Sequence, residues 1–363
     1  MLLRVPPHPA CLARACVANK GLRRVITKPG FFRSFQEHHH NAPPLLGFFH
    51  DDIGLPSNFI PVGDKPDRVS AVAFDPKDLG WRVLDSRHGR VLLRSPDRLR
   101  FLVWEPMAGR RQYIDAPSPQ HGEHYKFTNA ALVCTVAMQE NHISCHDCPL
   151  SVLFVVTPSQ EGTTVVYLYS TEEGSWNEVA SGDFSPLMVT ERPVVLLRNV
   201  LYWTMAKVTG FPEAILGFEL GAQNKLYVIE QPLYTFDADH EHVQVMEAEG
   251  GMVGLVVACG LGLQLWVLHE DNDKKGRERW AMDREIYLDE KLAPLPNPVF
   301  YDYYQIWILG VDGNVVFLRT ETAIFEVDLQ TEEAKRLCDG HEIAALYPYR
   351  SFYRRGSTII YLT

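Results

Sequence analysis

FLVWEPMAGRRQYI, residues 101–114, is the stretch whose reading decides the fold. Phe101 to Glu105 is rich in aromatic and β-branched residues, Pro106 to Gly109 supplies turn chemistry, and Gln112 to Ile114 begins a second strand. The unit is a hairpin, and it recurs. VYLYSTEEGSWNEV (166–179), ILGFELGAQNKLYVI (215–229), LQLWVLHE (263–270) with RWAMDREIYL (279–288), and AIFEVDLQTEEAKRL (323–337) repeat the order strand, polar or glycine turn, strand. Between them lie partner hairpins such as VVLLRNVLYWTM (194–205), with Arg198-Asn199 at the turn. A repeat of roughly 50 to 60 residues is the scale of a four-stranded propeller blade. The expected fold is mainly β, a kelch-like β-propeller of about five to seven blades. A β-sandwich or two stacked barrels is the competing architecture.

Outward from the hairpins, short β-type runs continue from about Val69 to the end with no helical period between them. Residues 37–68 shift to His, Pro, Asp and Gly around Leu45 to Phe49 and Phe59-Ile60, which reads as a linker with a few anchors. Residues 1–36 differ again. Pro6-Pro7 ends a helix at about Val5, and Pro9 suits the first position of the next. Leu12, Ala15, Cys16, Leu22, Val25 and Ile26 then recur near helical spacing, until Lys28-Pro29-Gly30 stops the run. Gly21 falls inside that helix at a cost of about 0.8–1 kcal/mol against alanine. The expected organisation is a small helical module over 1–36, a linker over 37–68 and a β domain over 69–363.

The chain carries a formal net charge of -10. Residues 1–50 hold seven Lys and Arg against the single acid Glu37, so the remainder has 28 basic and 44 acidic residues. An acidic β domain argues against nucleic-acid binding, and the basic helices suit an acidic protein partner. Seven cysteines at uneven spacing and no long apolar run point to a reducing cytoplasmic or nuclear setting without a membrane span.

Few groupings suggest chemistry. Cys145-His146-Asp147-Cys148 with His142 resembles half a metal site, but no second cysteine pair follows. His38-His39-His40 and the group Asp237, Asp239, His240, Glu241 and His242 read as solvated turns. Gly260-Leu261-Gly262 lacks a third glycine and a following helix, and neither a nucleophile elbow nor a phosphate loop is present. No catalytic residue, metal or cofactor is expected.

Leu3-Arg4-Val5-Pro6-Pro7, Leu12, Ala15, Lys20, Arg23-Arg24-Val25 and Pro29-Gly30-Phe31 stand in the order of an F-box. The segment resembles the back two-thirds of that module, with its opening leucine-proline helix absent. Asn19 and Leu22 stand where the family carries cysteine and tryptophan. WRVLD (81–85), HGRVLL (88–93), VWEPMAG (103–109), NVLYW (199–203), GLQLWV (262–267), FLRTETAIFEVDL (317–329) and YPYRSFY (347–353) resemble the F-box-associated β domain of a plant family expanded in grasses. The resemblance implies a substrate-recognition subunit of a Skp-cullin-F-box ubiquitin ligase. Leu3, Val5, Pro6, Leu12, Ala15 and Leu22 would face a Skp-type adaptor on its cullin scaffold, and the β domain would hold an unknown protein substrate. The alternatives are an interaction module uncoupled from the ligase, and a propeller enzyme.

Overall fold

A computed structural model describes residues 2–52, 58–63, 67–76, 80–117, 127–134, 150–157, 163–171, 173–207, 212–221, 224–232, 242–289, 291–292, 306–339 and 343–353. They fall into two compact units, one of residues 1–118, 132–151 and 347–363, the other of 119–131 and 152–346. The protein is mainly β, a six-bladed β-propeller preceded by three short helices.

Four sheets have four strands each: β3 (Arg82–Arg87) to β6 (Arg110–Asp115), β7 (Phe127–Cys134) to β10 (Ser175–Gly182), β16 (Val243–Ala248) to β19 (Glu278–Tyr287), and β20 (Trp307–Asp312) to β23 (Ala334–Asp339). Their middle strands are β4 (Arg90–Arg94), β5 (Arg100–Glu105), β8 (Leu150–Thr157), β9 (Thr164–Ser170), β17 (Met252–Cys259), β18 (Gly262–Glu270), β21 (Val315–Arg319) and β22 (Ala323–Asp328). In the fifth sheet β11 (Met188–Val189) and β12 (Val195–Leu197) both pair with β13 (Val200–Ala206), followed by β14 (Pro212–Glu219) and β15 (Leu226–Glu230). The sixth sheet orders β2 (Asn58–Pro61), β1 (Leu45–Asp52) and β24 (Ile343–Arg350), so the last strand lies beside the first.

The turns follow from their residues. His88 and Gly89 both have positive φ and join the paired residues Arg87 and Arg90, the geometry that matches strand twist in a two-residue hairpin. Arg198-Asn199 joins the paired residues Leu197 and Val200, as the sequence predicts, with Arg198 at positive φ. Gly310 is required for another reason. A Cβ there would lie 2.8 Å from the Leu346 carbonyl oxygen, so the backbones of β20 and β24 approach too closely for any side chain.

The linker expectation for 37–68 meets a different structure, because β1 and β2 lie inside it. Leu46, Phe48 and Phe49 are fully buried, so the apolar islands are strand residues. Phe59 and Phe74 stack at 4.5 Å, and Phe49 and Tyr349 meet edge-on at 5.5 Å.

The helices are α1 (Pro9–Ala18), α2 (Lys20–Ile26) and α3 (Pro29–His38). Asn19 separates the first two. Its backbone is extended, and its Oδ1 accepts from the Gly21 and Leu22 amides at 2.7 and 3.1 Å. Gly21 therefore sits in a first turn, where the interior-helix penalty does not apply. Lys28-Pro29-Gly30 ends α2 and also starts α3, since proline is well suited to a first helical turn. His38 closes α3 and His39 caps it, its ring 4.6 Å from Phe35, so the triple histidine is a helix end.

Candidate protein-interaction surfaces

The helices bury one face against the C-terminal segment of their own unit. Leu12, Ala13, Cys16, Ile26, Phe35, Phe352 and Tyr353 form one buried cluster, with Leu3, Val5, Ala15 and Leu22 packed partly exposed around it. Of the six residues expected to meet an adaptor, Leu12 is 0% exposed and Pro6 is exposed. The other four lie between. Helical periodicity identifies this face correctly as apolar, but the chain itself covers its centre. The outward side carries Val17 and Val25, 61% and 39% exposed, on α1 and α2. Val17 lay outside the apolar pattern read from the sequence, and only its exposure singles it out.

A second set of side chains ties together the first strands of the blades. In the second unit Arg192, between β11 and β12, is 6% exposed and donates to the Ala344 carbonyl at 2.9 Å and to the Ile308 carbonyl. Gln244 of β16 donates to the Pro193 carbonyl at 3.0 Å, and Asn129 of β7 to the Thr190 and Arg192 carbonyls at 2.9 and 2.8 Å. Arg319 donates to the Ile343 carbonyl at 3.0 Å while its guanidinium lies 4.5 Å from the Trp307 ring. In the first unit Asp85 accepts from the Leu132 amide at 2.8 Å and pairs with Arg87 at 2.7 Å, and Ser86 donates to the Pro348 carbonyl at 2.8 Å. Burial pushes the Asp85 carboxyl above its ordinary value, against the opposing pull of Arg87 and of the amides that bond it. These groups serve backbone carbonyls and amides. Their role is to hold strands in position.

The third feature is a cleft of about 700 Å³ in the second unit, where the β16–β17 turn meets the turns of the following sheet. Leu265 of β18 and Met246 of β16 face it from one buried cluster, Met252 stands at the turn, and Gly313, Asn314 and Gln330 lie at its far side, while the Trp266 ring packs in another cluster with Tyr202 and Val243. Met252 is 37% and Met282 50% exposed. Glu247, Glu249 and Asp283 contribute carboxylates, while Arg284 donates to the Leu329 carbonyl at 2.5 Å.

The family model described as "F-box protein AT5G49610-like, beta-propeller" matches residues 82–350. The chain belongs to this family.

The match to the F-box-protein propeller family spans β3 to β24, leaving α1 to α3, β1 and β2 outside it. No curated protein sequence matches the chain. Among solved structures it is similar to an α-L-arabinofuranosidase of Fusarium graminearum, at 13% identity and TM-score 0.41 over 72% of this chain and 81% of that one. It is also similar to Saccharomyces cerevisiae Sqt1, at 12%, 0.39, 83% and 84%, and to Porphyromonas gingivalis dipeptidyl peptidase 4, at 11%, 0.35, 82% and 45%. The chain spans 28% and 45% of the first two solved chains it matches. Likeness at this level carries no inference about activity.

In this propeller, Cys145, His146, Asp147, Cys148 and His142 lie outside the described residues, as do Asp237, Asp239, His240 and Glu241. His242 is described, and it corrects the expectation of a solvated turn. It is 3% exposed, and its carbonyl accepts from the Ala258 amide at 2.8 Å. Among the described residues no three His, Cys, Asp or Glu side chains converge as a metal site, and no helix is long and apolar enough to cross a membrane.

Proposed function

We propose that this chain is the substrate-recognition subunit of a Skp-cullin-F-box ubiquitin ligase. The helices dock a Skp-type adaptor held on a cullin scaffold, and the propeller holds a protein substrate. One observation carries this reading: three short helices stand directly ahead of a propeller whose family is described as that of an F-box protein. The chain performs no bond chemistry in this role. It raises the local concentration of a substrate lysine beside a charged ubiquitin-conjugating enzyme, an effect that reaches about millimolar for short tethers. Free thiols at Cys11, Cys16, Cys134, Cys259 and Cys338 suit the cytoplasm or nucleus.

The burial of Leu12 against Phe352 favours a second reading, an interaction module uncoupled from the ligase. Pull-down with a purified Skp-type adaptor separates the two, using the intact chain beside a version lacking residues 1–36. Binding that disappears on deletion supports the ligase subunit. Adaptor binding by neither form, with the intact chain folded, supports the uncoupled module.

A further inference from the structure

Residues 127–191 hold eight acidic residues and no lysine or arginine, and they include the whole of the β7–β10 sheet. The outer hairpin of that sheet, β9 with β10, carries an aromatic face. Tyr169 pairs with Trp176 and Tyr167 with Glu178 across the strands, and Phe154 of β8 pairs with Tyr167, so these five side chains point to one side. Phe154, 1% exposed, forms the base, with the Trp176 ring 6.0 Å from it and 5.3 Å from the Tyr169 ring. Tyr167, Tyr169 and Trp176 are half-buried, and Glu178 is exposed.

Charge and strand geometry together say what this face meets. Glu178 has no ion-pair partner among the described residues. β15, which neighbours β10 within the second unit, holds no cation. Lys225 just ahead of it lies 5.4 Å from the Tyr227 ring, on the side of its sheet that packs with Val243 and Trp266 of the β16–β19 sheet. The register of β10 shifts between Glu178 and Ala180, a bulge at Val179 that interrupts the outer edge for an added strand, so recognition falls to side chains. The negative faces of tyrosine and tryptophan rings attract a cation, and the planar guanidinium of arginine stacks on them where a lysine ammonium does not.

We propose that the aromatic face of the β9–β10 hairpin binds an arginine-bearing segment of a partner protein, with guanidinium groups on the Tyr169 and Trp176 rings and against Glu178. The proposal rests on the substrate-recognition reading and names the class of segment recognised.

The test is fluorescence anisotropy on the intact chain with a short labelled peptide carrying two arginines, beside a counterpart in which citrulline, equal in shape and uncharged, replaces both. The citrulline peptide is expected to bind at least about tenfold more weakly, and rising salt to weaken the arginine peptide. Glu178→Lys and Trp176→Leu are each expected to lower its affinity about fivefold. Glu333→Lys, the same charge change on an exposed residue ahead of β23, is expected to leave it unchanged. Trp176 is half-buried, so its variant is compared only at an unchanged thermal midpoint, while Glu178 is exposed and its variant decides the test even if Trp176→Leu fails to fold. Equal binding of the citrulline peptide, affinity that survives Glu178→Lys, an equal loss in Glu333→Lys, or no binding of the arginine peptide overturns the proposal. Adaptor pull-down of the same variants is a separate readout. A chain that binds adaptor but not the arginine peptide loses the hairpin assignment alone, and one that binds the peptide but no adaptor loses the ligase assignment alone.

Discussion

Phe35 of α3 and Phe352 of the C-terminal segment meet edge-on with ring centroids 6.3 Å apart, both 0% exposed. They join the beginning of the described chain to its end, because Phe352 follows directly on β24. The helices, each 10 residues or fewer, are too short to persist alone and take their stability from this contact.

Phe352→Ala is expected to cost about 3–5 kcal/mol and to loosen the helices first. Urea unfolding measures the first effect, and amide exchange in α1 to α3 the second. A loss below about 1 kcal/mol, with helix protection unchanged, would contradict this packing.

Arg192 joins the break between β11 and β12 to carbonyls of β20 and β24. Lysine offers a single ammonium in place of a planar fork and cannot keep both contacts, so Arg192→Lys leaves a buried carbonyl unpaired at about 1–3 kcal/mol. Arg192→Met leaves two and is expected to cost more. Denaturation of the two variants side by side gives the order, and equal stability of both would refute the assignment.

Asp85 has its pKa raised chiefly by burial, so the folded state holds its proton more tightly than the unfolded chain. Its contribution to stability is largest below the ordinary carboxylate value of 3.8 and declines as pH rises from there through the raised value. Asp85→Asn keeps an acceptor for the Leu132 amide and removes the charge. The variant is expected to lose this one downward component of the stability curve, which thermal midpoints measured across pH would detect. An unchanged pH dependence would mean that Arg87 offsets the burial completely.

Hairpins were the legible part of this sequence. Aromatic and β-branched runs around Gly109 or Arg198-Asn199 mark themselves, and their repetition gives the propeller. Several strands carry no such mark, among them β11, β16 and β24, each at an edge of its sheet, and β1 in the middle of its own. Most of β16 and β24 is buried, so the alternation that signals a half-buried strand is absent. β16 also carries Gln244, and β24 carries Pro348, which its edge position tolerates. The apolar helix face was legible as a face, but its occupant was not. Periodicity places Leu12 and Ile26 together and says nothing of Phe352, more than three hundred residues away. The cleft had no sequence signal, since Met246 and Met252 come together only through the pairing of β16 and β17, and its far side belongs to another sheet.

The central claim is that the outward side of the helices docks a Skp-type adaptor, and light scattering on a size-exclusion column tests it directly. The intact chain with purified adaptor is predicted to elute as a one-to-one complex, and the Val17→Asp, Val25→Asp double variant as separate components with an unchanged thermal midpoint. Failure of the folded intact chain to form the complex, or a complex that the double variant leaves intact, would contradict it.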